Sequence, residues 1–131
     1  MLTDVQALVY SGLLTWVMLM TASLARARGW TPEGFVLALG NRADLPPPSP
    51  VAGRADRAAK NMLENLVLLA VVIAAAHFAG APKDRVDLGA TIFFWARVAY
   101  FGVYLAGIVY LRTALWAVAV AGLAMIGLAA V

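Results

Sequence analysis

The stretch NLVLLAVVIAAAHFAGAP, residues 65–82, contains no charged side chain and ends in a Gly-Ala-Pro sequence that stops a helix. A helix of this length is about 27 Å long, close to the ~30 Å hydrocarbon core of a bilayer. Uncharged runs at 5–25 and 113–131 are similar in length, and the apolar run 88–111 is interrupted only by Arg97. The sequence therefore predicts an all-α integral membrane four-helix bundle, with spans at about 5–25, 58–80, 88–111 and 113–131.

The composition excludes most other classes. The chain has 131 residues, of which 63% are hydrophobic and 13% charged, whereas a soluble domain has about 25% charged residues. The apolar runs are too long for barrel strands and lack their alternation, and the start of the chain lacks the positive region of a signal peptide. With no cysteine there is no disulfide framework and no thiolate nucleophile. We expect one transmembrane domain, residues 1–131, in contact with the lipid bilayer.

Basic residues cluster in the connection between the first two spans, about 26–53, which also contains the extended Pro-rich segment 45–50. Residues 31–35 of this connection are expected to form a short interfacial turn. By the positive-inside rule, the first and third connections are cytoplasmic and both termini lie on the other side. We interpret the basicity as a topology signal, with no nucleic acid as partner. The basic residues in or beside the first connection are Arg26, Arg28, Arg42, Arg54, Arg57 and Lys60, and Arg112 is at the third connection.

Two spans carry polar residues in stripes. The positions follow the spacing i, i+3, i+7 and i+10, so each set lies within roughly 80° of the helix circumference. Two such stripes are expected to face each other or a shared cavity. The stripes are Arg54, Arg57, Asn61 and Glu64 on the second span, and Arg97, Tyr100, Tyr104 and Gly107 on the third.

Arg97 is expected near the middle of the membrane, where a charge requires a partner. After Asp4, Glu64 is the only acidic residue within a spanning run. The sequence therefore predicts a Glu64–Arg97 ion pair, helped by Asn61. One interpretation of this pair is purely structural, the fixing of helix register.

The remaining basic and phenolic groups predict a cationic recess formed by Arg54, Arg57, Tyr100, Tyr104 and Arg112. Guanidinium groups bind carboxylates through paired hydrogen bonds, so the recess suits a small anionic ligand. Arg112 also has the charge to stabilise a developing anion such as a thiolate. The alternative is that the arginines extend to the interface and the tyrosines form an interfacial belt.

His77 stands among alanines, away from the polar stripe, and no set of residues has metal-ligand spacing. We interpret His77 as a helix-contact or interface residue and expect no metal site.

The two spaced motifs resemble those of the membrane-associated proteins in eicosanoid and glutathione metabolism (the MAPEG family), and the segment Asn41-Arg42 before the Pro-rich stretch looks like its bacterial branch. The resemblance covers about residues 40–131. The motifs are Arg54-x-x-Arg57-Ala58-x-x-Asn61-x-x-Glu64 and Ala96-Arg97-x-x-Tyr100-x-x-x-Tyr104-x-x-Gly107-x-x-x-x-Arg112-Thr113.

The resemblance implies a homotrimer with glutathione bound between neighbouring subunits. With the orientation from the positive-inside rule, we expect a protein of the bacterial inner membrane with both termini in the periplasm. By position, it makes Arg112 the catalytic residue that activates the glutathione thiol, whereas Arg54 and Arg97 match structural positions. Two functions stay open: a glutathione-dependent transferase or peroxidase acting on a small lipophilic electrophile, or a non-catalytic member that binds a lipid or an anionic ligand. The glutathione-binding positions are Arg57, Asn61, Glu64, Tyr100 and Tyr104.

Overall fold

The computed structural model describes all residues from Met1 to Val131, and it contains five helices and no strand. Four of its helices are long and apolar enough to cross a membrane. The prediction of an all-α, multi-pass membrane protein with a four-helix bundle is confirmed. The helices are α1 (Asp4–Ala27), α2 (Pro32–Leu39), α3 (Pro50–Ala79), α4 (Lys83–Ala106) and α5 (Val109–Ala129).

Helix α3 begins at Pro50, eight residues before the predicted start at 58. The Ser49 side chain accepts a hydrogen bond from the Ala52 backbone N–H at 3.2 Å, and proline suits the first position of a helix. The 30 residues of α3 extend about 45 Å, more than the hydrocarbon core requires. Part of α3 therefore lies outside that core. Residues 50–53, predicted as the end of the first connection, belong to the helix.

The connection between α4 and α5 is at Gly107 and Ile108, earlier than the predicted boundary at 112–113. Gly107 adopts a left-handed conformation with φ of 78°, which glycine accommodates without a Cβ penalty. Arg54 Nε donates to the Leu105 carbonyl oxygen at 3.2 Å and satisfies one of the last carbonyl groups of α4. As a result Arg112 lies in the first turn of α5 and not at the end of the preceding span.

The long first connection contains helix α2, where the sequence predicted only a short turn. The Thr31 side chain accepts from the Gly34 backbone N–H at 3.0 Å, and Pro32 occupies the first turn, so both start signals of a helix are present. Arg26 donates to the Pro46 carbonyl oxygen and holds the Pro-rich segment against the end of α1.

Small residues allow the long helices to approach closely. Many residues of the buried core are alanines, with larger side chains such as Phe93 and Leu69 between them. Helix α4 packs against α5 at Gly89 and Gly122, where a Cβ added to Gly122 would lie 2.6 Å from the Gly89 carbonyl oxygen. The absence of side chains at these two glycines therefore sets the distance between α4 and α5.

Replacing Gly122 with alanine is expected to destabilise the protein by about 1–2 kcal/mol, because the added methyl group meets backbone that cannot move aside cheaply. Thermal unfolding in detergent measures the effect. Gly102→Ala is the matched control: it lies in α4 with no atom within 4 Å of an added Cβ, so better helix propensity should stabilise it slightly. Equal unfolding temperatures for the two variants would contradict the packing argument.

A polar cluster fixes the start of α1 at the end of the bundle where α3 finishes. Asp4 is 1% exposed, and its carboxylate contacts His77 and accepts from Lys83 Nζ at 2.8 Å. The Asp4 backbone N–H donates to Asp87 Oδ1 at 2.7 Å, and Lys83 also donates to Asp87. His77 is therefore placed in a contact between α1 and α3.

Candidate functional site

A polar cavity of about 330 Å³ lies between α3, α4 and α5, at the end of the bundle where α4 finishes and α5 begins. Its lining residues come from the early part of α3, the late part of α4 and the first turns of α5. Five of its residues were predicted as site residues from the sequence. The lining consists of Arg57, Asn61, Tyr100, Tyr104, Arg112, Thr113 and Trp116.

Tyr104 lies between the two arginines of the cavity. Arg57 Nε donates to the Tyr104 hydroxyl oxygen at 3.2 Å, and the Arg112 guanidinium carbon is 4.7 Å from the centre of the Tyr104 ring. The hydroxyl oxygen thus accepts from Arg57, which leaves its own proton free to be donated to a ligand. Tyr104 thereby fixes the position of both guanidinium groups.

The buried Arg97 contacts the lining of the cavity from the interior of the bundle. Arg97 is fully buried, and its Nη2 donates to Asn61 Oδ1 at 2.8 Å, while its Nε lies 3.3 Å from Met62 Sδ. Its guanidinium carbon is 4.1 Å from the centre of the Tyr100 ring, within the range of a cation–π contact. Arg97 therefore contacts two residues that line the cavity.

The predicted Glu64–Arg97 ion pair is wrong within the chain. Glu64 is exposed and forms no ion pair, and Asn61 provides the oxygen that contacts Arg97. The bundle-facing side of α3 includes Met62 and Asn65. Glu64 is two residues after Met62, about 200° around the helix, so it points away from the bundle.

The site predicted from the sequence did not include Thr113 and Trp116. Trp116 is four residues after Arg112 and therefore lies on the same face of α5. That spacing was visible in the sequence, but it pointed to the cavity only once Arg112 was placed within α5. The indole gives the cavity an apolar wall beside its cationic part.

The cavity has the chemistry of an anion-binding site. Neither Arg57 nor Arg112 forms an ion pair, and no acidic residue lines the cavity. The Tyr100 hydroxyl has no hydrogen-bond partner in the chain, so it is free to bind a ligand. Two unpaired guanidinium groups and two phenols can hold carboxylates and favour a developing negative charge.

Other predicted residues lie outside this cavity. Arg54 donates to the Leu105 carbonyl oxygen at the end of α4. His77 is at the opposite end of the bundle, where it contacts Asp4. A groove of about 420 Å³ between α1 and α4, beside Tyr10 and Trp95, is lined only by hydrophobic residues. It has no charged or amide group to orient a polar ligand, which makes the polar cavity the stronger candidate.

The chain matches a model of one known protein family over nearly its whole length. No curated protein sequence matches the chain. A model of the MAPEG family matches residues 5–131, which include all five helices apart from the first residue of α1. The chain therefore belongs to the MAPEG family.

Proposed function

We propose that this protein is a membrane-embedded glutathione-dependent enzyme that transfers the glutathionyl group to a lipophilic electrophile, or reduces a lipophilic hydroperoxide to the alcohol and water while two glutathione molecules are oxidised to the disulfide. The observation that carries the proposal is the cavity with two arginines and two tyrosines and no carboxylate. Glutathione has two carboxylates and a thiol, so its charges complement this lining. Membership of a family associated with glutathione supports the same ligand.

The proposed roles are those that the family resemblance implies for these residues. Arg57, Asn61, Tyr100 and Tyr104 bind the peptide, and Arg112 lies where the negative charge of a thiolate would be stabilised. A nearby guanidinium favours the thiolate, which is the nucleophilic form of the thiol. The thiol releases its proton to water, the thiolate forms a bond to an electrophilic carbon, and the leaving group departs with the electrons of the broken bond.

The bilayer fits the second substrate. A lipophilic electrophile is concentrated in the hydrocarbon region, and Trp116 provides an apolar surface next to Arg112. The cavity is near the end of the membrane spans, where α4 finishes. We therefore infer that glutathione enters from water and the electrophile enters from the bilayer.

A homotrimer is part of this proposal, and Glu64 supports it. Glu64 is exposed on α3 between exposed apolar residues such as Leu63 and Val67. A carboxylate facing lipid is costly, and an adjacent copy of the chain would remove that cost. Glu64 would then reach the glutathione bound at a subunit boundary, as the family resemblance implies.

Glu64→Gln is expected to weaken the assembly and leave the fold of each chain intact, since Glu64 has no partner within the chain. Mass measurement by light scattering in detergent, with correction for bound detergent, reports the number of chains. Asp56→Asn is the control, because Asp56 is also on α3 but pairs only with Lys60 on its own helix. A wild-type protein that is monomeric in both detergent and lipid would contradict the trimer.

The function is tested by two measurements on purified protein in lipid nanodiscs. Calorimetric titration with glutathione should show saturable binding, and a chlorodinitrobenzene should be converted to its glutathione conjugate with release of chloride. A parallel assay with a lipid hydroperoxide tests the reductive reaction. Binding without either reaction would identify a non-catalytic member that binds an anionic ligand. Absence of both binding and turnover would reject the proposal.

A further inference from the structure

Helix α2 exposes an apolar surface just beyond the end of α1. It packs against α1 and no other helix. Val36 and Leu39 are 69% and 74% exposed, and Trp30, immediately before α2, is 71% exposed. Apolar side chains next to the end of a membrane span, with a tryptophan among them, are typical of a segment in the lipid interface.

Arginines without carboxylate partners are concentrated at the same end. Arg26 and Arg42 donate only to backbone carbonyl oxygens, and the Arg28 side chain forms no hydrogen bond. Glu33 and Asp44, the acidic residues of this segment, form no ion pair with them. The guanidinium groups thus remain available to an external anion.

At the opposite end of the bundle, a basic residue is paired with carboxylates. There Lys83 contacts the carboxylates of both Asp4 and Asp87, so its charge is already compensated. Arg85 is the one exposed arginine at that end, and no exposed aromatic residue is next to it in the sequence. The segment that contains α2, in contrast, combines the unpaired Arg28 with the exposed Trp30.

Arg28 and Trp30 line one cleft. The cleft has a volume of about 440 Å³ and lies where α1 ends and α3 begins, with Thr31 and Ser49 in its lining. A guanidinium group matches the oxygens of a phosphate. An indole beside it suits the glycerol and the upper acyl chain of a lipid.

We propose that Arg28, Trp30 and the exposed side of α2 form a binding surface for an anionic phospholipid. The headgroup phosphate binds Arg28, and the acyl chains lie along Trp30 and α2. The lipid is selected by charge, because Arg28 attracts a net anionic headgroup more strongly than a zwitterionic one. This surface is separate from the polar cavity and does not depend on the proposed enzymatic function.

Native mass spectrometry of the purified protein in neutral detergent tests the proposal, with phosphatidylglycerol and phosphatidylcholine as the two probes. The wild-type protein is expected to retain phosphatidylglycerol preferentially. Arg28→Gln should lower the phosphatidylglycerol affinity by roughly fivefold, the contribution of one basic residue near an anionic surface, and lower the phosphatidylcholine affinity much less. Arg28→Lys should keep most of the preference, and Arg85→Gln should keep all of it.

Hydrogen exchange on the wild-type protein locates the lipid without any substitution. Nanodiscs containing phosphatidylglycerol should protect the amides of residues 28–42 more than nanodiscs of phosphatidylcholine alone. Equal retention of the two lipids, an equal loss in Arg85→Gln, or protection only elsewhere in the chain would overturn the proposal. Competition by inorganic phosphate as effective as that by phosphatidylglycerol would also overturn it, since a free-anion site would then explain the binding.

Discussion

Arg112→Ala is expected to lower kcat for glutathione conjugation by about 10²–10³-fold, the usual cost of removing one group that stabilises a developing anion. The variant removes a guanidinium at the cavity that has no carboxylate partner and lies over the Tyr104 ring. Without it, the thiolate form of bound glutathione loses its nearest stabilising charge under the proposed mechanism. Initial rates with a chlorodinitrobenzene give kcat and KM.

Two comparisons separate thiolate stabilisation from a structural role of Arg112. A structural or binding role would raise the KM for glutathione, whereas stabilisation of the thiolate lowers kcat. The ultraviolet absorbance of the thiolate in the glutathione complex should disappear in Arg112→Ala and persist in part in Arg112→Lys. An Arg112→Ala protein with wild-type kcat and thiolate absorbance would exclude Arg112 as the activating group.

Asp4→Ala is expected to lower the free energy of unfolding by about 3 kcal/mol, because a carboxylate with several charge-assisted partners is lost. The Asp4 carboxylate is buried and joins α1 to His77 on α3 and to Lys83 on α4. Its partners are about half exposed or more, so water partly replaces the lost contacts and keeps the cost moderate. Thermal unfolding in detergent measures the loss of stability, and hydrogen exchange along α1 shows whether the start of that helix is affected.

The control for this variant is Asp84→Asn. Asp84 lies in the first turn of α4, as Asp4 lies in the first turn of α1, but Asp84 is exposed and forms no ion pair. Its replacement should change stability by less than about 0.5 kcal/mol. If Asp4→Ala and Asp84→Asn were equally stable, the polar cluster at the start of α1 would make no specific contribution to the stability of the fold.

Several features of the fold were predictable because they depend on local sequence. Four long runs with few charges are sufficient to predict four membrane spans, since each charge in hydrocarbon is costly. The helix ends were less predictable, because local capping decides them. Ser49 and Pro50 start α3 early, and the left-handed Gly107 ends α4 before the apolar run is complete.

The candidate site was predictable in part. Helical spacing placed Arg57 and Asn61 on one side of one span, and Tyr100 and Tyr104 on one side of the next, and all four line the same cavity. Spacing within one helix does not give the rotation of that helix relative to its neighbours. Glu64 is seven residues after Arg57 and within about 20° of it around α3, but it lies two turns further along the helix and outside the cavity.

The sequence by itself determined the membrane class, the helical architecture and the residue types available for an anion site, because hydropathy and helical period are properties of a single segment. Only the tertiary structure decided that Asn61 and not Glu64 contacts Arg97, and that Trp116 joins Arg112 at the cavity. It also decided that Asp4 meets His77 and Lys83 at the other end. These contacts depend on how far each helix is rotated and shifted along its neighbours, and that is set by the packing of all the helices together.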